Sequence, residues 1–160
     1  MKYIELTRGK QAIVDDCDYD KVSQYKWWIQ PSGDFYYADG WVNGKHIKMH
    51  HFLLTTPKGM EVDHINHNGL DNRRCNLRVC TRAQNQHNRM KGRGISRFKG
   101  VNRHPDDGKW VARIGYEGAR LHLGRFHSED DAGLAYNNAA IALYGEYALL
   151  NEVMCGSACN

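Results

Sequence analysis

Between Glu61 and Asn85 the chain gathers side chains that suit cleavage of a phosphate ester: Asp63-His64, then Asn76, then Asn85. That reaction needs a deprotonated water on one side of the phosphorus and charge stabilisation on the other. A histidine, with an ordinary pKa near 6.5, takes a proton from water near neutral pH. A hard divalent cation on oxygen ligands neutralises charge developing on the phosphate and the leaving oxygen. An Asp-His pair alone would be a turn histidine among turn-forming asparagines. The whole spaced set says more.

These residues must be carried by particular elements. Neighbouring side chains on a strand point to opposite faces, so Asp63 and His64 belong where a strand ends, and the Asn- and Gly-rich stretch after Ile65 fits that ending. Thr81-Arg82-Ala83-Gln84 reads as a capping box opening a helix over about 82–89. Upstream, Phe35–Val42 and Lys45–Met49 flank Asn43-Gly44, a two-residue hairpin signal, and Ile4–Leu6 with Ala12–Val14 suggest an earlier hairpin. Asp18–Tyr25 reads as a short helix, Trp27 and Trp28 as core, and no chemistry is evident in residues 1–45.

The ordered set over about residues 48–88 resembles the HNH (ββα-metal) nuclease signature. By that resemblance Asp63 and Asn85 would hold one Mg²⁺ or Mn²⁺, His64 would be the general base and Asn76 would orient its ring. Asn85 stands where the name-giving pattern ends in histidine, and its amide oxygen argues against Zn²⁺. His50 and His51 stand where related nucleases often carry a histidine, with phosphate contact and packing both open. His67 is a competing ligand. Arg73, Arg74, Arg78 and Arg82 crowd the same segment as candidate phosphate contacts.

Asn88–Gly94 is basic and punctuated by glycine, as a linker would be. Beyond it lie three strand candidates, Lys99–Arg103, Trp110–Tyr116 and Arg120–Phe126. A helix follows, opened by Ser128 and acidic residues and ended by Gly145, with Ala132, Ala135, Tyr136, Ala139, Ala140 and Leu143 as its core stripe. Residues 97–151 resemble the plant APETALA-two/ethylene-response-factor domain, in which a three-stranded sheet enters the major groove with one helix behind it. The resemblance implies an outer face of Arg103, Lys109, Trp110, Arg113, Arg120, His122 and Arg125. His122 replaces the usual Trp of the third strand.

Charge supports a nucleic-acid partner. Residues 1–62 balance to zero, residues 63–127 carry +9 and residues 128–160 carry −5. A central basic block is the footprint of a phosphate-backbone binder. The odd set of five cysteines contains no CxxC pair, so free thiols rather than a zinc ribbon are expected. No apolar run is long enough for a membrane span, and no signal peptide is evident. The expected architecture is α+β: a β-rich nuclease domain over 1–88, a linker over 89–96, a sheet-plus-helix DNA-binding domain over 97–151 and a tail over 152–160. The expected activity is a homing-type, site-specific endonuclease on double-stranded DNA in the cytoplasm of a phage's or mobile element's host, with no small-molecule substrate. A non-catalytic DNA-binding regulator on a degenerate nuclease scaffold is the rival reading.

Overall fold

The computed structural model describes residues 1–92 and 94–153. The chain divides into two compact units, Met1–Asn85 and Gln86–Asn160. Arg93 of the expected linker, and Cys155 and Cys159, lie outside the described residues.

The first unit begins with an antiparallel hairpin, β1 (Lys2–Glu5) and β2 (Gln11–Val14), followed by α1 (Asp16–Ser23). Three antiparallel strands then pair in the order β3 (Trp27–Ser32), β4 (Phe35–Val42), β5 (Lys45–Lys48). The Asn43-Gly44 turn has positive φ at both residues, 50° and 76°, the conformation that two-residue hairpins require. β3 has no counterpart in the sequence reading. Its Pro31 cannot donate to a ladder, and it is tolerated because β3 is an edge strand. The strand expected to reach Met49 stops at Lys48, because Met49 and His50 turn into the interior at the start of α2 (Met49–Leu53). The core joins all these elements through Ile4, Val14, Trp27, Ile29, Met49 and Leu53, and reaches Val62 and Leu77 further on. At Gly40 even a Cβ would stand 2.6 Å from the Trp27 ring, so only glycine lets β4 lie against that indole.

β6 (Met60–His64) and β7 (Leu77–Thr81) form an antiparallel pair, and α3 (Arg82–Asn88) follows directly. The capping box is reciprocal: the Gln84 N–H donates to Thr81 Oγ1 at 3.2 Å, and the Thr81 N–H to Gln84 Oε1 at 2.8 Å.

In the second unit β8 (Val101–Arg103), β9 (Trp110–Tyr116) and β10 (Ala119–Phe126) form an antiparallel sheet with β9 central, and α4 (Glu129–Tyr144) packs on one face. Ser128 caps α4 by accepting from the Asp130 and Asp131 N–H groups, and Gly145 ends it at φ 54°. Phe98, Val101, Ala112 and Ala132 form one core cluster, and Ile114, Tyr136 and Ala140 another. The packed unit starts earlier than residue 97. Ser96 is buried and donates to Glu129, whose carboxylate also accepts the Arg97 N–H. Cys17, Cys75 and Cys80 are free thiols. Among the described residues no helix is long and apolar enough to cross a membrane.

Candidate active site

His64 is the last residue of β6, opposite Leu77 in the pair, and both it and Asp63 are buried. Alternation along β6 puts Glu61 and Asp63 on one face and Val62 and His64 on the other. On the first face Arg78, opposite Asp63, donates through Nε at 3.0 Å and Nη2 at 2.8 Å to Asp63 Oδ2. Glu61 Oε2 accepts from Asn85 Nδ2 at 2.6 Å, which ties the first turns of α3 to the strand. Sequence reasoning passed over Glu61, although its position two residues before Asp63 places it on the same face.

His64 faces an aromatic wall. The His50 ring meets it edge-on with centroids 4.7 Å apart, and Tyr37 lies 5.9 Å away. Burial holds the His64 ring below the ordinary histidine range, while a hydrogen bond to Asn72 and the charges of Asp63 and Asp71 pull partly back. The ring is therefore neutral, and able to accept a proton, at neutral pH. His50 is buried more deeply and is pushed down to about 2 by desolvation and by the neighbouring His64, His51 and Lys48. His51 is exposed. His67 sits at φ 62° in the turn after β6, its N–H donating to the His64 carbonyl at 3.1 Å.

The polar stretch after Ile65 is ordered by its own side chains. Asn76 Oδ1 accepts the Asn66 N–H at 3.0 Å, and its Nδ2 donates to the Asp71 carbonyl at 2.7 Å. Asn66 Oδ1 accepts the Asn68 N–H, and Asn68 Oδ1 the Leu70 N–H, two successive Asx turns. Gly69 lies so close to β4 that a Cβ would stand 2.4 Å from the Tyr36 carbonyl. Asn76, expected to orient the ring, makes these bonds within the loop, and Asn72 Oδ1 lies 3.3 Å from His64 Nε2.

Residues 1–45, in which no chemistry was evident, hold this loop in place. Ile13 of β2 donates to the Leu70 carbonyl and accepts the Asn72 N–H, both at 2.8 Å. Asp15 accepts the Arg74 N–H at 2.7 Å, and Asp18 takes the Arg74 fork through Nε and Nη2, each at 2.7 Å. Arg73 closes a similar fork on buried Asp71 at 2.7 and 2.6 Å, and that guanidinium holds the Asp71 carboxyl below its ordinary range. Arg73, Arg74 and Arg78, expected as phosphate contacts, are therefore engaged by carboxylates of the same unit. Arg82 opens α3 and is exposed.

The HNH endonuclease family model matches residues 55–87, the span that carries this arrangement. An uncharacterized HNH endonuclease of Acanthamoeba polyphaga mimivirus is 33% identical over 156 residues, covering 92% of this chain and 79% of its own. This chain belongs to the HNH endonuclease family.

Other relatives match a shorter stretch. A dehydration-responsive element-binding protein of Arabidopsis thaliana is 49% identical over 69 residues, which is 39% of this chain and 20% of that protein. An ethylene-responsive transcription factor of the same plant is 41% identical over 61 residues, 37% of this chain and 14% of its own. In the second unit of this HNH endonuclease, Arg113 pairs across the sheet with His122, Val111 with Arg125 and Gly115 with Arg120. Paired residues share a face, so Arg113, Arg120, His122 and Arg125 stand together, and all four are exposed. Arg103 and Trp110, which pair with each other, fall on the opposite face, where Trp110 packs against the core of Phe98, Val101, Ala112 and Ala132. The sequence held that signal, since positions 110 and 113 differ by an odd number and cannot share a face of a regular strand. Arg103 Nε donates to the Gly108 carbonyl, and Lys109 lies in the turn before β9, its N–H on Asp107.

Proposed function

We propose that this HNH endonuclease hydrolyses phosphodiester bonds of double-stranded DNA at a specific site, as homing enzymes do, with His64 as general base. The observation that carries the reading is a buried His64 at the end of β6, beside a strand face that carries Asp63 and Glu61, with Asn85 bonded to Glu61. His64 takes the proton of the attacking water. The desolvated wall of His50 and Tyr37 excludes competing solvent from the ring, and the Asn76 bonds keep the loop from unravelling.

The donor set suits a hard cation. Asp63 offers a carboxylate, and Asn85 commits its NH₂ end to Glu61, which leaves the amide oxygen as the ligand end. Among the described residues no group of three or more His, Cys, Asp or Glu side chains is placed to hold a metal, and an ion on Asp63 and Asn85 would take its remaining ligands from water and substrate oxygens. Bound there, Mg²⁺ or Mn²⁺ would stabilise negative charge on the phosphate and leaving oxygen. The exposed face of Arg113, Arg120, His122 and Arg125 reads the DNA, a role supported by the plant DNA-binding relatives and by the central +9 block.

Incubation with supercoiled plasmid carrying candidate sites tests this reading. Nicking or linearisation that requires Mg²⁺ or Mn²⁺, stops with chelator and maps to one discrete position is expected. Tight DNA binding without any cleavage would replace it with a regulator on a nuclease scaffold.

A further inference from the structure

Alternation along β3, β4 and β5 divides their side chains between two faces. Trp27, Ile29, Ala38 and Val42 enter the core, so Trp28, Tyr37, Asp39 and Trp41 take the other face. The pairing adds His46 and Lys48 to it: Trp28 lies opposite Asp39, Asp39 opposite Lys48 and Trp41 opposite His46. Trp28, expected in the core beside Trp27, therefore stands outside it, half-buried.

This outer face carries a row of rings. The His46 ring stacks on Trp28 with centroids 5.5 Å and planes 19° apart, and Trp41 flanks the same ring at 5.9 Å. Asp39, buried beneath, accepts from His46 Nε2 at 3.1 Å, while its Oδ1 has no hydrogen-bond partner among the described residues. An unbonded buried carboxylate oxygen weakens a fold, so stability does not explain the pair. What it does is hold the His46 ring against the indoles. Trp41 is 60% exposed, a large aromatic surface left to water beside two other rings. Lys48 Nζ stands 4.4 Å from the centroid of the Tyr37 ring, and Tyr37 lies 5.9 Å from His64. The row thus runs up to the candidate active site, with Trp41 four residues, or roughly 13 Å, along β4 from Tyr37.

We propose that unpaired nucleotides of the DNA beside the cut bind this face, with a base stacked on Trp41 and a phosphate near Lys48. The inference rests on the reading of the protein as a DNA endonuclease. A duplex hides the faces of its bases in its own stack, so exposed flat rings serve nucleotides that have left it. Every base has a π-face, so this contact holds the strand without reading its sequence. The row contains no aliphatic side chain, and its lysine lies over a ring, which favours a flat anionic ligand over an apolar protein surface.

Fluorescence anisotropy of the full chain in chelator, with a labelled short oligothymidylate and with a fully paired duplex, tests this. Trp41→Leu, apolar but without a π-face, should weaken oligothymidylate binding by about 5–150-fold and leave the paired duplex within about twofold. Trp41→Phe, which keeps a π-face, should stay within about threefold of wild type on both. Stacking releases no counterions, so the loss in Trp41→Leu should be the same at low and high salt. The indole N–H resonance of Trp41, identified by its absence in Trp41→Phe, should shift as oligothymidylate is added. Equal oligothymidylate affinity for wild type and Trp41→Leu, an equal loss on the paired duplex, or an unmoved indole resonance overturns the proposal. So does a Trp41→Leu chain whose one change is a smaller oligomer, which would make the face a contact between copies. Failure of the underlying reading looks different: wild type would then neither bind the paired duplex nor cut plasmid with Mg²⁺, whatever stands at position 41.

Discussion

Arg73, Arg74 and Arg78 in the first unit each rest on an aspartate, whereas Arg113 and Arg120 in the second stand on an exposed sheet face beside His122 and Arg125. Both groups lie in the basic block, and composition does not distinguish them. What separates them is the set of carboxylates that topology brings near. In the first unit α1, β6 and the loop before β7 present Asp18, Asp63 and Asp71, and the arginine fork matches a carboxylate in two bonds. Among the described residues, the four basic side chains on the exposed face of β9 and β10 meet one carboxylate, Asp107, whose Oδ2 stands 3.3 Å from Arg125 Nη1. One set of arginines is therefore held by carboxylates of its own unit, and the other stands on an exposed face.

The largest effect should come from the chemistry itself. His64→Ala should lower the cleavage rate by about 10²–10⁴-fold while leaving DNA affinity within about twofold, measured by plasmid relaxation and fluorescence anisotropy. Cleavage at more than a few per cent of the normal rate would remove His64 as the base.

The two arginine classes should then part in opposite assays. Arg78→Ala leaves the buried Asp63 carboxylate without its cation and should cost about 3 kcal/mol of stability in metal-free buffer, read from the urea midpoint. Arg120→Ala should leave that midpoint nearly unchanged and cost about 1–3 kcal/mol in affinity for the preferred site if it pairs with a guanine. The reverse pattern would break the comparison outright.

Acid should weaken the fold through the histidine wall. His50 has a folded pKa of about 2, below the unfolded value near 6.5, so below pH 6.5 the unfolded chain binds the proton that the folded chain refuses. Its contribution is fully present above about pH 6.5 and declines by up to about 1.4 kcal/mol per pH unit as pH falls toward the folded value. His50→Leu should flatten that part of a stability–pH curve measured from pH 7 to 4.5. An unchanged slope would show that His50 is not the group responsible.

The smallest effect concerns salt. If roughly six basic residues reach phosphate, the log–log slope of affinity against salt should be about −5. Arg113→Ala should reduce its magnitude by about one if Arg113 meets a phosphate, and Arg74→Ala should leave it unchanged. Equal losses from the two variants would mean that the Arg74 fork opens when DNA binds.

Much of the local structure was legible because its causes are local. The Asn43-Gly44 turn, the Thr81/Gln84 capping box, the Ser128 cap and the small-residue stripe of α4 each depend on residues a few positions apart. The ending of β6 at His64 followed in the same way, from the alternation of side chains and the run of turn formers after Ile65. Even the misplaced Trp110 was recoverable, since parity along β9 separates it from Arg113.

The partners of the site residues were not legible. Asn72 faces His64 only because the backbone of β2 takes up the loop at Ile13, and Arg74 is held by Asp18 of α1, 56 positions earlier. Glu61 was nearer, but its bond to Asn85 exists only once α3 folds back on β6. Residue types and short spacings were enough to point to the HNH endonuclease family and to a basic sheet behind it. Which side chains meet the histidine ring, and which arginines are occupied, depends on contacts between segments far apart in the chain. Those contacts come from burial and sheet pairing, and only the tertiary structure could decide them.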